Sequence, residues 1–463
     1  MKSKFLTMLF LVLWLGLGAC KKQDEWLDKK ANKSDVIPKT LEDFKLILNN
    51  TDIMNAWYSG YPTLSSDNFS ITYANWLGAF SNSERNVYIW AKEVYEGEGS
   101  FDWTQGYQRI EFANIVLDGV SKIPVNATNQ KDWNALKGTA LFFRGLNYFV
   151  LAQTFAKPYD AVTADTDLGI VLRNSSDINE KITRATVKET YSQLTTDLLL
   201  AEALLPNFTS FKTQPSRIAV QGTLARVYLC MGNYERAHFY ADLALKEYST
   251  LIDFNTLNAG ATAPFPVFQL DNKEIIFYAT AASWSSATYA KLRVDDQLYA
   301  MYGAGDLRKS IFYVHNGTNG IAFKGNYTGT VSGGNFAGVS TNELYLIRAE
   351  SAARLSKVSE AVLDINTLLK NRWDKNVAYL PFVTTDPEAA LIKVIEERRK
   401  ELPFMGGRRW EDLRRLNTDP RFVKTLTRVL NGTTYTLPPN DPRYIYALPD
   451  IEIRLSGLPQ NIR

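Results

Sequence analysis

The strongest helical pattern in the chain is RIAVQGTLARVYLCMGNYERAHFYADLALKE at residues 217–247. It predicts two helices joined by a turn at Gly232, because glycine reaches backbone conformations that strain other residues. Alanine at positions 225 and 237 places a small side chain on each helix, which lets the two helices approach closely. The stretch therefore predicts a compact helical hairpin.

The hairpin matches the tetratricopeptide (TPR) repeat at positions typical of that repeat, namely Leu224, Ala225, Tyr228, Gly232, Tyr234, Ala237, Ala244 and Leu245. It departs from the repeat at Gln221, Ala241 and Ser249, where tryptophan, an aromatic residue and proline are usual. A weaker copy covers 342–371, and helices predicted within 133–205 are candidates for another pair with an inserted loop. TPR pairs serve as structural or peptide-binding scaffolds, so they assign no function on their own.

Local signals predict further helices. Thr186 and Glu189 have the spacing of a capping box, in which each side chain bonds to the other's backbone. Asp386 is suited to cap a helix whose first residue is Pro387. Residues 133–155 carry apolar side chains on nearly every face, which is expected of a helix packed on two sides.

Two segments, 55–90 and 250–340, are poor in helix signals and rich in aromatic and small polar residues. We interpret them as long, partly irregular excursions from the helical frame, and long structured loops often carry binding sites. The predicted fold class is therefore mostly α, a TPR-like scaffold of helical hairpins with long irregular loop insertions.

The N-terminus predicts a lipoprotein. Lys2 and Lys4 precede residues 5–17, which are apolar or small apart from Thr7, and Cys20 follows Leu-Gly-Ala. Such a run has the length of a signal-peptide core and is shorter than the roughly 20 residues of a membrane span. We expect cleavage before Cys20 and lipid attachment to that residue, although an ordinary secretory signal is the alternative. The expected organisation is signal peptide 1–19, charged tether 20–35 and one helical domain 36–463.

Composition excludes several classes of protein. Cleavage would leave 50 basic and 49 acidic side chains in 444 residues, which gives a formal charge of +1 and argues against a nucleic-acid partner. Cys230 would be the only cysteine besides Cys20, so no internal disulfide is expected.

Signals for catalysis, metals or cofactors are missing from the sequence. The two histidines, His238 and His315, are not in a metal-ligand spacing, and no G-x-S-x-G, H-E-x-x-H or phosphate-binding motif is present. A glycosidase needs only two carboxylates, which 49 acidic residues leave open. The pair Asp295-Asp296 is better interpreted as a helix start. We therefore expect no catalytic residue, no metal and no cofactor.

A charge-dense segment, EERRKELPFMGGRRWEDLRR, covers 396–415. Its five acids are interleaved with its seven basic residues, which argues against nucleic-acid binding. It predicts two amphipathic helices joined at 403–407, with the arginines paired to neighbouring carboxylates.

This segment also resembles a known family. ERRKEL at 397–402 and GRRWEDLRR at 407–415 resemble the late signature of SusD/RagB-type outer-membrane proteins. Other similar stretches follow in the expected order, namely RGLNYFVLAQTFAKPY at 144–159, DLR at 306–308, ELYLIRAE at 343–350, YALP at 446–449 and PQN at 459–461. Ala447 stands where that family usually has proline.

The resemblance implies a function. Such proteins are α-helical, TPR-containing lipoproteins on the outer face of the outer membrane. They sit over a SusC-like TonB-dependent transporter, capture oligosaccharides or in some cases peptides, and are not enzymes. For this chain the resemblance implies non-catalytic oligosaccharide capture, a SusC-like partner and an outward-facing lipid anchor in the outer membrane. A peptide-binding member of the family and a surface polysaccharide hydrolase are the alternatives.

Sugars present C–H faces that pack on aromatic rings and hydroxyl groups that need polar partners. The excursions supply this mixture, and the candidate ligand-binding residues are Trp57, Tyr58, Asp67, Asn68, Asn75, Trp76, Trp284 and Tyr289. Trp76 and Trp284 are the first choices because small and polar residues surround them, and core or loop packing is the alternative for each aromatic. Trp133 and Trp410 fall in helix stripes and are interpreted as structural.

Overall fold

The computed structural model describes residues 38–268, 271–317 and 320–463. The predicted signal peptide, Cys20 and the tether lie outside the described residues. The α-helices of the described residues are Leu41–Leu48, Thr51–Met54, Gly60–Ser65, Tyr73–Leu77, Asn82–Tyr88, Phe101–Ser121, Gln130–Phe155, Val187–Leu204, Arg217–Cys230, Tyr234–Glu247, Asp296–Ala300, Arg308–Phe312, Thr341–Arg354, Val358–Lys370, Pro387–Glu401, Arg408–Leu416 and Asp450–Ser456. Short 3₁₀ turns occur at Phe254–Thr256 and Pro442–Tyr444.

Long helices pack side by side into a continuous scaffold. Gln130–Phe155 packs against both Phe101–Ser121 and Val187–Leu204, which accounts for its apolar residues on nearly every face. Arg217–Cys230 pairs with Tyr234–Glu247, as the opening stretch predicts. The next layer is Thr341–Arg354, which contacts Tyr234–Glu247, Val358–Lys370 and Pro387–Glu401. The mostly α, hairpin-based fold class is confirmed.

Local sequence signals fix the ends of these helices. Thr186 and Glu189 form the complete capping box. Asp386 accepts hydrogen bonds from the backbone N–H groups of residues 388 and 389, with Pro387 at the first helical position. Gly232 has a φ of +70°, so the tight turn uses the left-handed conformation that glycine adopts without strain. These predictions are confirmed.

The described residues form five two-stranded antiparallel ribbons, three of which lie in the excursions. They pair Phe69–Ser70 with Arg293–Val294, Leu168–Val171 with Arg184–Thr186, Ile275–Phe277 with Val339–Ser340, Tyr313–His315 with Ile321–Phe323, and Leu426–Leu430 with Thr433–Leu437. The first of these ribbons joins the 55–90 excursion to the 250–340 excursion. Tyr58 reinforces the junction, since its N–H donates to the Thr280 carbonyl and its carbonyl accepts from the Ala282 N–H. The two excursions therefore meet on one side of the scaffold.

The charge-dense segment forms the two predicted helices, Pro387–Glu401 and Arg408–Leu416. Its arginines pair with carboxylates, as predicted, but many partners are distant in sequence. Arg409 bonds to Asp67 in the first excursion, and Arg408 bonds to Glu343 in the scaffold. The segment thus ties an excursion to the helices beneath it.

A second buried charge cluster fixes the other excursion. Arg308 bonds to Asp306, Glu397 and Glu401. Arg372 bonds to Glu401 and to Glu274, and both arginines are fully buried. Asp295 caps the following helix through the N–H of Leu298, which confirms the helix-start interpretation. Within the described residues, no helix combines the length and apolar character needed to cross a membrane.

Candidate ligand-binding groove

Two adjoining cavities lie where the excursions meet, and together we call them the groove. The larger lobe has a volume of about 580 Å³ and the smaller lobe about 340 Å³, sizes typical of ligand sites. The two lobes share one wall formed by both excursions, which consists of Trp57, Phe80, Ala282, Ser283, Trp284 and Ser285.

Trp57 is held on the surface by its backbone. Its φ of +67° is left-handed, and the side chain is 42% exposed, whereas the adjacent Tyr58 is buried. The indole contacts Phe101 edge-on, with 5.7 Å between ring centroids. A large aromatic surface is therefore presented to both lobes.

Trp284 is half-buried and fixed at two points. Its Nε1–H donates to the Gly60 carbonyl at 3.0 Å, and its ring stacks on Tyr61 with centroids 5.6 Å apart. A Cβ atom at Gly60 would lie 2.8 Å from the indole and 2.5 Å from the Asp102 carboxylate, so this close approach requires glycine. The orientation of Trp284 is set by the protein before any ligand binds.

Phe80 is 92% exposed at the rim of both lobes. Its backbone N–H donates to the Ser285 hydroxyl at 3.0 Å, and that hydroxyl donates to Glu84 at 2.7 Å. Glu84 also accepts from the N–H and hydroxyl of Ser286. This network fixes the loop that carries the exposed ring.

Polar groups complete the lining. In the larger lobe they come from uncharged side chains, namely Thr63, Ser283, Ser285, Thr288, Tyr289, Asn326, Ser332 and Asn335. In the smaller lobe Glu98 accepts from the N–H groups of Asn82 and Ser83, each at 3.0 Å. Burial by itself raises the pKa of Glu98, but these N–H donors outweigh it and hold the pKa below its usual range.

The structure brings three of the predicted residues together, since Trp57, Trp284 and Tyr289 all line the larger lobe. Two others lie close by but line neither lobe. Trp76 donates its Nε1–H to the Arg85 carbonyl and stacks on Tyr73. Asn75 donates its amide to the Lys291 carbonyl at 3.3 Å.

The remaining three candidates belong to internal packing. Tyr58 is buried, and its hydroxyl donates to the Met54 carbonyl at 2.6 Å. Asp67 accepts from Arg409 at 2.6 Å and pairs with Arg399 and Lys424. The Asn68 side-chain oxygen accepts from Arg399. None of the three lines the groove, so we leave them out of the proposed site.

The interpretation of Trp410 as structural is confirmed by its complete burial, and Trp133 donates its Nε1–H to the Val120 carbonyl. Sequence reasoning missed the phenylalanines of the groove, Phe69, Phe80, Phe101, Phe323 and Phe404. A signal existed for Phe80, which stands between small residues, Gly78-Ala79 and Ser81, inside the aromatic-rich excursion.

Known proteins resemble this chain in sequence and in fold. Residues 25–229 match the sequence model of a SusD-like family described as "Starch-binding associating with outer membrane". Residues 25–229 therefore resemble this SusD-like family in sequence. A curated protein similar to this chain is "SusD-like protein P2" of Formosa agariphila, 24% identical over 371 residues that cover 68% of this chain and 71% of that protein.

Solved structures share the fold of this chain. A putative sugar binding protein from Bacteroides vulgatus superposes with a TM-score of 0.73 at 22% identity, covering 92% of this chain and 99% of the other. A SusD superfamily protein from Bacteroides thetaiotaomicron superposes with a TM-score of 0.72 at 20% identity, covering 92% and 100%. At these identities the likeness concerns the fold alone.

Proposed function

We propose that this protein binds oligosaccharides in the groove without cleaving them and delivers them to a SusC-like TonB-dependent transporter. One observation carries the proposal. Trp57 and Trp284 come from excursions far apart in sequence, yet they form one wall together with the exposed ring of Phe80. Aromatic faces suit the C–H faces of sugar rings, and the neutral polar groups beside them suit sugar hydroxyls.

The location is part of the proposal. We propose that lipid on Cys20 anchors the chain in the outer membrane with the groove facing outward. The N-terminal sequence supports the anchor, and the description of the matching family supports association with the outer membrane. Residues 21–35 would then act as a tether between lipid and folded domain.

The carboxylates of the groove do not favour the hydrolase alternative. Glu84 accepts hydrogen bonds on both oxygens, from Ser285 and Ser286, and Glu98 accepts backbone N–H groups on both of its oxygens. A general acid needs a proton to donate, whereas the backbone N–H donors outweigh burial and hold the pKa of Glu98 below its usual range.

The proposal is tested by incubating the purified protein with a panel of plant, algal and bacterial oligosaccharides. We expect depletion of at least one oligosaccharide from solution, with its chain length unchanged. New reducing ends would point to a hydrolase. Binding of peptides with no binding of any glycan would favour the peptide-binding alternative.

Replacing Phe80 with alanine is expected to weaken binding of the tightest panel member at least fivefold, about 1 kcal/mol, by removing an exposed sugar-facing ring. Stability should change by less than about 0.5 kcal/mol, because the ring is 92% exposed. Phe211→Ala is the matched control, since Phe211 is 65% exposed and lines neither lobe. Calorimetric titration and thermal unfolding measure both effects, and equal losses of affinity in the two variants would contradict the site.

Trp284→Ala is expected to weaken binding at least tenfold, about 1.4 kcal/mol, and to lower stability by about 1–3 kcal/mol. Trp76→Ala is a close control, because Trp76 is also half-buried and its Nε1–H also donates to a backbone carbonyl at 3.0 Å. Its ring likewise stacks on a tyrosine at 5.6 Å. We expect a similar loss of stability from Trp76→Ala with no loss of affinity. A tenfold loss of affinity in both variants would extend the site to Trp76, and an unchanged affinity for Trp284→Ala would refute the groove.

A further inference from the structure

The groove has an unusual distribution of charge. Among the described residues that line the larger lobe, none is Asp, Glu, Lys, Arg or His. Among those that line the smaller lobe, the charged side chains are Glu84 and Glu98, and no cation is present. A ligand would therefore meet neutral polar groups, aromatic rings and two carboxylates.

Two basic side chains beside the groove, Lys291 and Arg85, are engaged by the rim itself. Lys291 donates its ammonium group to the Ser285 carbonyl at 2.5 Å. Arg85 donates to the Ala79 carbonyl at 3.0 Å and to the side chain of Asn82. Neither side chain lines a lobe. They brace the loops that carry the shared wall.

An anionic sugar would be poorly served by this lining. A uronate carboxylate or a sulfate ester loses hydration on entering a groove, and proteins compensate with arginine or lysine donors. Here such a group would lose water without gaining a cation and would approach Glu84 or Glu98. Hydroxyl groups lose less, because serine, threonine and asparagine side chains can bond to them.

We propose that the groove selects uncharged oligosaccharides and discriminates against uronate-containing and sulfated ones. This inference rests on the proposed function, which names the ligand class as oligosaccharide. It adds that the selectivity arises from the absence of a cationic partner within the lining and from the two fixed carboxylates.

The central comparison of the test is between oligosaccharides that share a backbone and differ in charge. Oligogalacturonates are measured against their methyl esters, which keep the backbone and remove the charge, beside neutral gluco-, xylo- and manno-oligosaccharides and sulfated galactan oligosaccharides. We expect binding to be confined to neutral members, or at least tenfold tighter for them within a matched pair. Equal or tighter binding of the anionic members would overturn the charge selectivity and leave the proposed function intact. No binding by any member would contradict the proposed function itself.

A variant supplies the missing cation. Ser283 is exposed and lines both lobes, so Ser283→Lys places an ammonium group at the shared wall. Ser283→Met is the matched control, with similar length and no charge. We expect the ratio of anionic to neutral affinity to rise at least fivefold in the lysine variant relative to the methionine variant. An unchanged ratio would show that the lining charge does not set selectivity.

Discussion

Arg372→Met is expected to lower the free energy of unfolding by about 3–5 kcal/mol, the usual effect of removing one member of a buried ion cluster. Arg372 is fully buried and bonds to Glu401 at 2.8 Å and to Glu274 at 2.8 Å. A further N–H donates to the Ile252 carbonyl. Methionine fills much of the volume but leaves these acceptors without their donor, and Glu274 loses its cation.

The pH dependence of this loss identifies its cause. Burial, the dominant effect, holds the pKa of Glu274 above its ordinary value even with Arg372 present. Removal of the arginine should raise that pKa further, so protonation can relieve the unpaired charge. We therefore expect the deficit of Arg372→Met to be smaller at pH 5 than at pH 8. Urea unfolding at both pH values measures it.

Arg421→Met is the control for the loss of a guanidinium group. Arg421 pairs with Asp419 at 2.7 Å, but its side chain is 39% exposed. Exposed pairs contribute about 0–1 kcal/mol, and we expect a loss in that range with little change between pH 5 and pH 8. If Arg372→Met proved no more harmful than Arg421→Met, the buried cluster would not be what fixes the 250–340 excursion.

The helical scaffold could be predicted from the sequence because its signals are local. Apolar spacing, the Thr186 capping box, the Asp386 cap and the left-handed turn at Gly232 each involve residues within a few positions. The placement of Trp57 and Trp284 in one groove is different. The sequence predicts both as ligand-binding residues because polar residues accompany them. Their proximity in the structure depends on strand pairing between the two excursions.

Some residues predicted to bind ligand instead make internal contacts that local sequence does not reveal. Asp67 stands among aromatic residues in the sequence, as a sugar-binding carboxylate would. In the structure it forms ion pairs with Arg399 and Arg409, which are more than 300 residues away in sequence. Trp57 is exposed whereas its neighbour Tyr58 is buried, and the backbone at Trp57 is left-handed. Amino-acid composition reveals neither the distant ion-pair partner of a carboxylate nor the sign of a residue's φ angle.

Acid is expected to unfold the protein steeply below about pH 4.5, with maximum stability near pH 5–6. Burial by itself raises the pKa of Glu343, Glu350 and Glu397. In each case paired cations outweigh it and lower the pKa to about 2. Glu343 pairs with Arg226 and Arg408, and Arg398 lies farther away. Glu350 pairs with Arg415 and Arg354. Glu397 pairs with Arg308, Lys393 and Lys400.

The sign follows from proton linkage. In the unfolded chain a glutamate has a pKa near 4.5, so below that value the unfolded state binds more protons than the folded state. The stability from each depressed carboxylate is complete above pH 4.5 and is lost as the pH falls towards 2. One carboxylate contributes about 3 kcal/mol, so three together approach the whole stability of a typical domain.

Asp102 acts in the opposite sense and places the maximum. Burial raises its pKa to about 6, although it accepts N–H groups from Gly60 and Tyr61. Its folded state binds the proton more tightly, so its contribution grows as the pH falls through 6 and is complete below about 4. Stability should therefore rise slightly from pH 8 to about pH 5.5 before the glutamates dominate.

Thermal midpoints measured from pH 8 to pH 2.5 test this curve, and Asp102→Ala separates its two arms. Loss of Asp102 should reduce the rise between pH 8 and pH 5.5, to which the raised pKa of Glu274 also contributes. The steep fall below pH 4.5 should remain, because the three glutamates lie in other clusters. A midpoint at pH 3 equal to that at pH 7 would contradict the assignment of these ion pairs as a source of stability. High salt offers little relief from the fall, since the pairs are buried and weakly screened.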